Sequence, residues 1–221
     1  MFPVNVFFTK FTRQLPNHLW NSYIELLPDH LREENSRFFR WQNRHAHLFG
    51  RLLLLKGLEQ YGYDQNIFLN LKKDEYSQPY LEGKDEIDFN ISHSGEYVLC
   101  AHAKKMKLGV DIEKVRDINF HYLEKTMTPE QWEHINKSTD QIMCFFKYWI
   151  KKESIIKADG RGLSIPLTDV HIENDTGCYD HQHWFLNELK IDENYCAGLA
   201  ASKKNIIVNL KKIDFEIPPP I

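Results

Sequence analysis

The chain has 221 residues and a mass of 26.3 kDa, is 42% hydrophobic and 27% charged, and is long enough to bury most of its apolar surface without covalent staples. Disordered and low-complexity classes are excluded. Lys and Arg number 28 against 31 Asp and Glu, a formal charge of −3, so nothing global attracts the chain to nucleic acid or an anionic membrane.

The four cysteines (Cys100, Cys144, Cys178 and Cys196) are scattered, with no CxxC pair, and read as reduced thiols. Met1–Phe8 lacks a basic leader region, and apolar runs such as Leu52–Leu55 are far short of the roughly 18 residues of a membrane span. The expectation is a soluble cytoplasmic protein.

In chain order, Val4, Val6 and Phe8 at strand spacing predict a first strand. A helix is expected over Leu19–Leu27, stopped by Pro28, and a longer one from about Arg32 to Tyr61, where Phe38, Trp41, His45, Leu48, Leu52 and Leu55 mark a buried face. The same helix carries a basic stripe: Arg37, Arg40, Arg44, His47 and Arg51. It reads either as a solvated face or as a strip for phosphate or an acidic partner. Residues 1–60 hold eight Lys/Arg against five Asp/Glu, which leans toward the second.

Short strands are expected from Ile67: Ile67–Leu71, then Ile87–Ile91, Tyr97–Ala103 and Leu108–Ile112. Helical patterns return at Phe120–Lys125, Thr128–Asn136 and Gln141–Ala158. Strands close the chain at Thr168–Glu173, Trp184–Lys190, Ala197–Ala201 and Ile206–Leu210, and the Pro218–Ile221 tail should be loose. Helices followed by antiparallel-type strands, twice over, predict α+β with two similar lobes, residues 1–105 and 106–221.

Three stretches carry chemistry. In Asp88-Phe-Asn-Ile-Ser-His-Ser-Gly95 a strand runs into a glycine turn, a plain turn or a place where backbone N–H groups, Ser92 and His93 hold phosphate oxygens. In Gly109-Val-Asp-Ile-Glu113 strand alternation puts Asp111 and Glu113 on one face. Such a pair fits a wet edge or a hard divalent cation. In Trp149-Ile-Lys-Lys-Glu-Ser-Ile-Ile-Lys157 Trp149, Glu153 and Lys157 share one helix face, either as a surface ion pair or bordering a cleft. Together, three carboxylates, a lysine and a Ser-His turn match a Mg²⁺ site handling a pyrophosphate. The P-loop, GxGxxG, HExxH and GxSxG patterns do not occur.

The combination F-N-I-S-H-S-G (89–95), G-V-D-I-E (109–113) and W-I-K-K-E-S-I-I-K (149–157) resembles the surfactin-synthetase-type 4′-phosphopantetheinyl transferases over about Arg37 to Leu167. The resemblance implies a monomer of two pseudo-symmetric α+β lobes, each a long helix on a small, mostly antiparallel sheet, with coenzyme A between them. It implies Mg²⁺ on Asp111, Glu113 and Glu153. The serine of an apo carrier protein would attack the phosphorus attached to pantetheine and release adenosine 3′,5′-bisphosphate. Glu153 would help deprotonate that serine, Lys157 would stabilise pyrophosphate and leaving group, and Ser92 and His93 would contact coenzyme phosphates.

Three positions depart from the family pattern. Its basic G-K-P segment reads Ser77-Gln78-Pro79, which leaves Gln78 and Pro79 as the coenzyme contacts there. Its phosphate-binding arginine falls at Ala46, with Arg44 or His47 as substitutes. A further glutamate position reads Gln131, which leaves water to complete the metal shell. The alternative function is a binding module of the same fold that holds coenzyme A or a carrier protein without catalysis; a weaker one is a Mg²⁺-dependent pyrophosphate hydrolase.

Overall fold

The computed structural model describes residues 1–217; the Pro218–Ile221 tail, expected to be loose, lies outside the described residues. The alternating apolar residues of the N-terminus form β1 (Phe2–Lys10). Pro16 and Pro28 stand at the starts of α1 (Asn17–Ile24) and α2 (Asp29–Ser36), where a missing N–H costs no helical bond. The single helix expected from about Arg32 to Tyr61 is in fact α2 and a separate α3 (Trp41–Glu59). Short polar side chains break it. Ser36 Oγ donates to the Glu33 carbonyl at 2.7 Å and Asn35 Nδ2 to the Arg44 carbonyl at 2.7 Å, local bonds that compete with helix continuation.

The expected one-sided burial of this helix is also corrected. From His45 to Leu58 every residue except His47 and Lys56 is buried, because α3 lies between the first sheet and the segments around it. That sheet runs in the order β11-β1-β5-β4, with β4 at Ile87–Ser94, β5 at Tyr97–Lys104 and β11 at Ile206–Lys212. β11 pairs parallel to β1, from Phe2 with Ile206 to Phe8 with Lys212, so the last strand returns to the first sheet. Gly57 sets how closely α3 sits on β5, since any Cβ there would overlap the buried His102 ring.

The strand expected at Ile67–Leu71 is a 3₁₀ turn over Gln65–Asn70, started by Asp64 Oδ1 accepting from Asn66 N at 2.9 Å; an Asx turn of this kind overrides a short alternating pattern. It leads into the small antiparallel pair β2 (Leu71–Lys73) and β3 (Pro79–Leu81). The second sheet is antiparallel throughout, in the order β6-β10-β9-β8-β7. Its strands are β6 (Leu108–Lys114), β7 (His171–Glu173), β8 (Thr176–Tyr179), β9 (Gln182–Glu188) and β10 (Tyr195–Ala201); the sequence pattern did not indicate β3 or β8. Before this sheet's hairpins come α4 (Pro129–Lys137), begun by a Thr128–Gln131 capping box, and α5 (Gln141–Asp159), ended by Gly160 at φ 102°.

Val4, Val6 and Leu99 of the first sheet pack with Leu108, Val110, Ile112 and Leu199 of the second in one buried cluster. The other face of β6 meets α5. A Cβ on Gly109 would overlap the Ser154 carbonyl oxygen and the Ala158 nitrogen, and would lie 2.9 Å from the Lys157 carbonyl carbon. Glycine here is what lets the helix backbone rest on the strand. Among the described residues no helix is long and apolar enough to cross a membrane, and the four cysteines are free thiols.

Candidate active site

Because Gly109 brings α5 onto β6, Lys157 on the helix reaches Asp111, two residues along the strand. Lys157 Nζ lies 2.6 Å from Asp111 Oδ1 and donates to Ser92 Oγ at 2.8 Å; Ser92 Oγ in turn donates to Asp111 Oδ1 at 2.8 Å. Asp111 is 3% exposed, and its other oxygen, Oδ2, is buried without a hydrogen-bond partner. Glu113, partly buried, accepts from Ser94 Oγ at 2.9 Å and lies 3.7 Å from Arg116.

Glu153 stands one turn before Lys157 on α5. Burial, then the charge of Asp111 and that of Glu113, push its carboxyl up to about 7 despite the opposing Lys157. Burial, followed by Asp111, likewise raises Glu113. Carboxylates that repel one another across a small space are the chemistry a hard cation relieves. His93 keeps solvent-exposed surface, yet the protein packed around it and then Lys157 hold its imidazole below the usual value.

Among the described residues no group of three or more His, Cys, Asp or Glu side chains converges tightly enough to cage a metal ion. Mg²⁺ typically takes only one or two carboxylates and completes its shell with water and substrate phosphates. The partnerless buried oxygen of Asp111, with Glu113 and Glu153 as neighbouring acidic donors, fits that requirement.

The remaining candidates fall in different places. Gln78 is tied to the end of α5, its Nε2 donating to the Lys157 carbonyl at 3.2 Å. Arg44 is turned over the Trp20 ring at 5.2 Å. Gln131 spends its side chain on the α4 cap, accepting from Thr128 N at 3.0 Å, and so is committed away from the carboxylates. Lys152, beside Glu153 in sequence, points into the interior. Its ammonium donates to the Thr126 and Leu167 carbonyls at 3.0 and 2.8 Å, and burial lowers it to about 8.

The basic stripe does not stay on one polar face. Arg37 and Arg40 are exposed, but Arg51 is only 8% exposed, with its Nε buried and unpartnered. It lines a 330 Å³ pocket with His30, Glu34, Lys72, Lys73 and Pro79. Lys73 bonds Glu34 at 2.7 Å. His47, lowered to about 4 by burial and then by Arg51, is neutral at physiological pH, so its 3.8 Å approach to Glu34 is no ion pair. The pocket therefore carries more positive than negative charge. Sequence reasoning missed Lys72 and Lys73 altogether; their adjacency just before the Gln78-Pro79 turn was the available signal.

Comparison with known proteins gives a consistent result. A family model described as the 4′-phosphopantetheinyl transferase superfamily matches residues 107–202, and one described as the N-terminal part of 4′-phosphopantetheinyl transferase matches residues 15–105. A 4′-phosphopantetheinyl transferase of Bacillus subtilis is 28% identical over 198 residues, 84% of this chain and 86% of the relative. The transferase Sfp of Bacillus subtilis strain 168 is 24% identical over 204 residues, covering 88% and 90%. A Haemophilus influenzae protein that bears the transferase name provisionally is 30% identical over 188 residues, covering 76% and 78%. With two family models spanning both halves and relatives matched over most of their length, the chain belongs to the 4′-phosphopantetheinyl transferase family.

Proposed function

We propose that this chain transfers the 4′-phosphopantetheine arm of coenzyme A to the serine of an apo carrier protein, with release of adenosine 3′,5′-bisphosphate. The observation that carries this reading is the meeting of Lys157, Asp111 and Ser92 at the seam between the two sheets, with Glu153 one turn away on α5. We also propose that residues 1–105 and 106–221 act as the two lobes, except that β11 of the second half completes the sheet of the first, that the protein works as a cytoplasmic monomer, and that Mg²⁺ is required.

Asp111, Glu113 and Glu153 would hold the cation, whose chemistry when bound is to neutralise and orient pyrophosphate oxygens. Glu153 accepts the proton of the carrier serine on a carboxylate oxygen. The serine oxygen then forms a bond to the phosphorus attached to pantetheine, the pyrophosphate P–O bond breaks, and its electron pair leaves with adenosine bisphosphate. Lys157 turns its ammonium toward the phosphates, where a fixed positive charge counts most as negative charge moves to the leaving oxygen. His93, with its lowered imidazole pKa, offers a neutral N–H to a phosphate oxygen. The Arg51 pocket, walled by Pro79, suits the remaining phosphate of the nucleotide, because a buried guanidinium with an unused N–H is a strong anion donor.

The test is to follow adenosine 3′,5′-bisphosphate by chromatography with coenzyme A and Mg²⁺, with and without apo carrier protein. Release that requires the carrier supports transfer. Equal release without it means hydrolysis and contradicts the proposal.

A further inference from the structure

β4 and β6 are the facing edges of the two sheets and run in the same direction, but they belong to separate hydrogen-bonded sheets. A strand edge leaves N–H groups in need of acceptors, and here side chains of β4 supply them. Asp88 Oδ2 accepts from Leu108 N at 2.8 Å, Asn90 Oδ1 from Val110 N at 3.1 Å, Ser92 Oγ from Ile112 N at 3.3 Å and Ser94 Oγ from Lys114 N at 3.1 Å. Both strands advance by two residues at each step, so the ladder uses one face of β4 throughout.

The residue types change along this ladder. Asp88 and Asn90 serve it as acceptors. At 92 and 94 the acceptor is a hydroxyl, which also has a proton to give. Ser92 gives its proton to Asp111 Oδ1 at 2.8 Å and Ser94 gives its proton to Glu113 Oε2 at 2.9 Å. The switch to serine coincides with the two acidic residues of β6. Ser92 is also saturated. Its one donor goes to Asp111, and its two acceptor sites take Lys157 Nζ and Ile112 N. No capacity is left for a coenzyme phosphate, the role the resemblance implies for it.

We infer that Ser92 and Ser94 are positioning residues, hydroxyl relays that fix the Asp111 and Glu113 carboxylates to the β6 main chain for a divalent cation. The inference rests on the proposed reading of those carboxylates as cation ligands. It has a second support in Asp111 Oδ2, which is buried and unpartnered while Ser92 and Lys157 hold its sister oxygen. Hydroxyl donors behind ligand carboxylates act as an outer shell, and losing one typically lowers metal affinity roughly 10- to 100-fold.

The experiment titrates the full chain with MgCl₂ by calorimetry, and separately with coenzyme A in EDTA. Ser92→Ala and Ser94→Ala should each weaken Mg²⁺ binding by about 10-fold or more, with metal-free coenzyme affinity within about twofold of wild type. Ser94→Thr, which keeps the hydroxyl at a half-buried position, should restore Mg²⁺ affinity. Should buried Ser92→Ala fail to fold, the Ser94 pair carries the test alone.

Unchanged Mg²⁺ affinity in the folded alanine variants overturns the inference. So does a Ser92→Ala variant that loses coenzyme affinity in EDTA while keeping its metal, and so does a wild-type chain that binds no Mg²⁺. A wild type that binds Mg²⁺ in this hydroxyl-dependent way yet modifies no carrier protein would refute the proposed function and leave the serine assignment standing.

Discussion

The closest backbone approach at the site is at Gly109, and Gly109→Ala is the sharpest structural perturbation available. The added methyl would lie 2.9 Å from the Lys157 carbonyl carbon and overlap Ser154 O and Ala158 N, whereas carbon atoms rest at roughly 3.5–4.0 Å. These are main-chain atoms near the C-terminal end of α5, so that end of the helix, which carries Lys157, must retreat by about 1 Å. Overpacking of this kind costs about 1–3 kcal/mol. The same retreat separates Lys157 from Asp111, whose present spacing is 2.6 Å, and a displacement of about 1 Å between reacting groups costs on the order of 100-fold in rate.

Gly198→Ala is the matched control. It lies on β10 under the same helix, but its methyl would meet only the tip of the Ile150 side chain, at 3.1 Å, which can turn aside. The assay is carrier modification followed by intact mass, with a thermal melt of each variant. Gly109→Ala should lose about 100-fold in kcat/KM together with a lowered Tm, and Gly198→Ala should stay close to wild type in both. A Gly109→Ala protein with wild-type rate and melting would refute the view that this glycine seats the helix and, through it, the site.

Asp111→Asn and Glu153→Gln should each abolish detectable transfer with circular dichroism unchanged, and a variant that retains turnover removes its residue from the mechanism. Arg51→Met should weaken coenzyme A binding by ~10-fold or more, on the basis that a charge-assisted hydrogen bond is worth about 1.5–3 kcal/mol; equal affinity in calorimetry would empty the pocket of its role. His102 is fully buried, and its pKa is lowered to about 4 by burial, below the ordinary 6.5. The unfolded chain therefore takes up a proton that the folded chain refuses, and stability falls as pH drops from about 6.5 to 4. The full span is worth about 3 kcal/mol. Urea melts across that range should be flatter for His102→Leu by this amount, and parallel curves would contradict the assignment.

The strand alternation in Gly109–Glu113 and the four-residue step from Glu153 to Lys157 were readable because both are local periodicities. The division of α2 from α3 was not, since it depends on Asn35 bonding a carbonyl nine residues away. Nor was the burial of Arg51, because a basic stripe on a helix looks the same in sequence whether its far end meets solvent or a pocket. The ladder from Asp88 to Ser94 joins residues twenty apart through side chain and main chain together. No single-strand pattern distinguishes it from the phosphate-binding turn expected of the same residues. Gln78 likewise read as a coenzyme contact because its partner, the Lys157 carbonyl, lies in the other half of the chain.

The most direct test of the central claim is the intact mass of an apo carrier protein after incubation with this chain, coenzyme A and Mg²⁺. The account predicts a gain of one phosphopantetheinyl group on the carrier serine, absent when EDTA is added. An unchanged carrier mass across fatty-acid, polyketide and peptide-synthesis carriers, with coenzyme A bound in a parallel titration, would contradict it and identify the chain as a binding protein of the same fold.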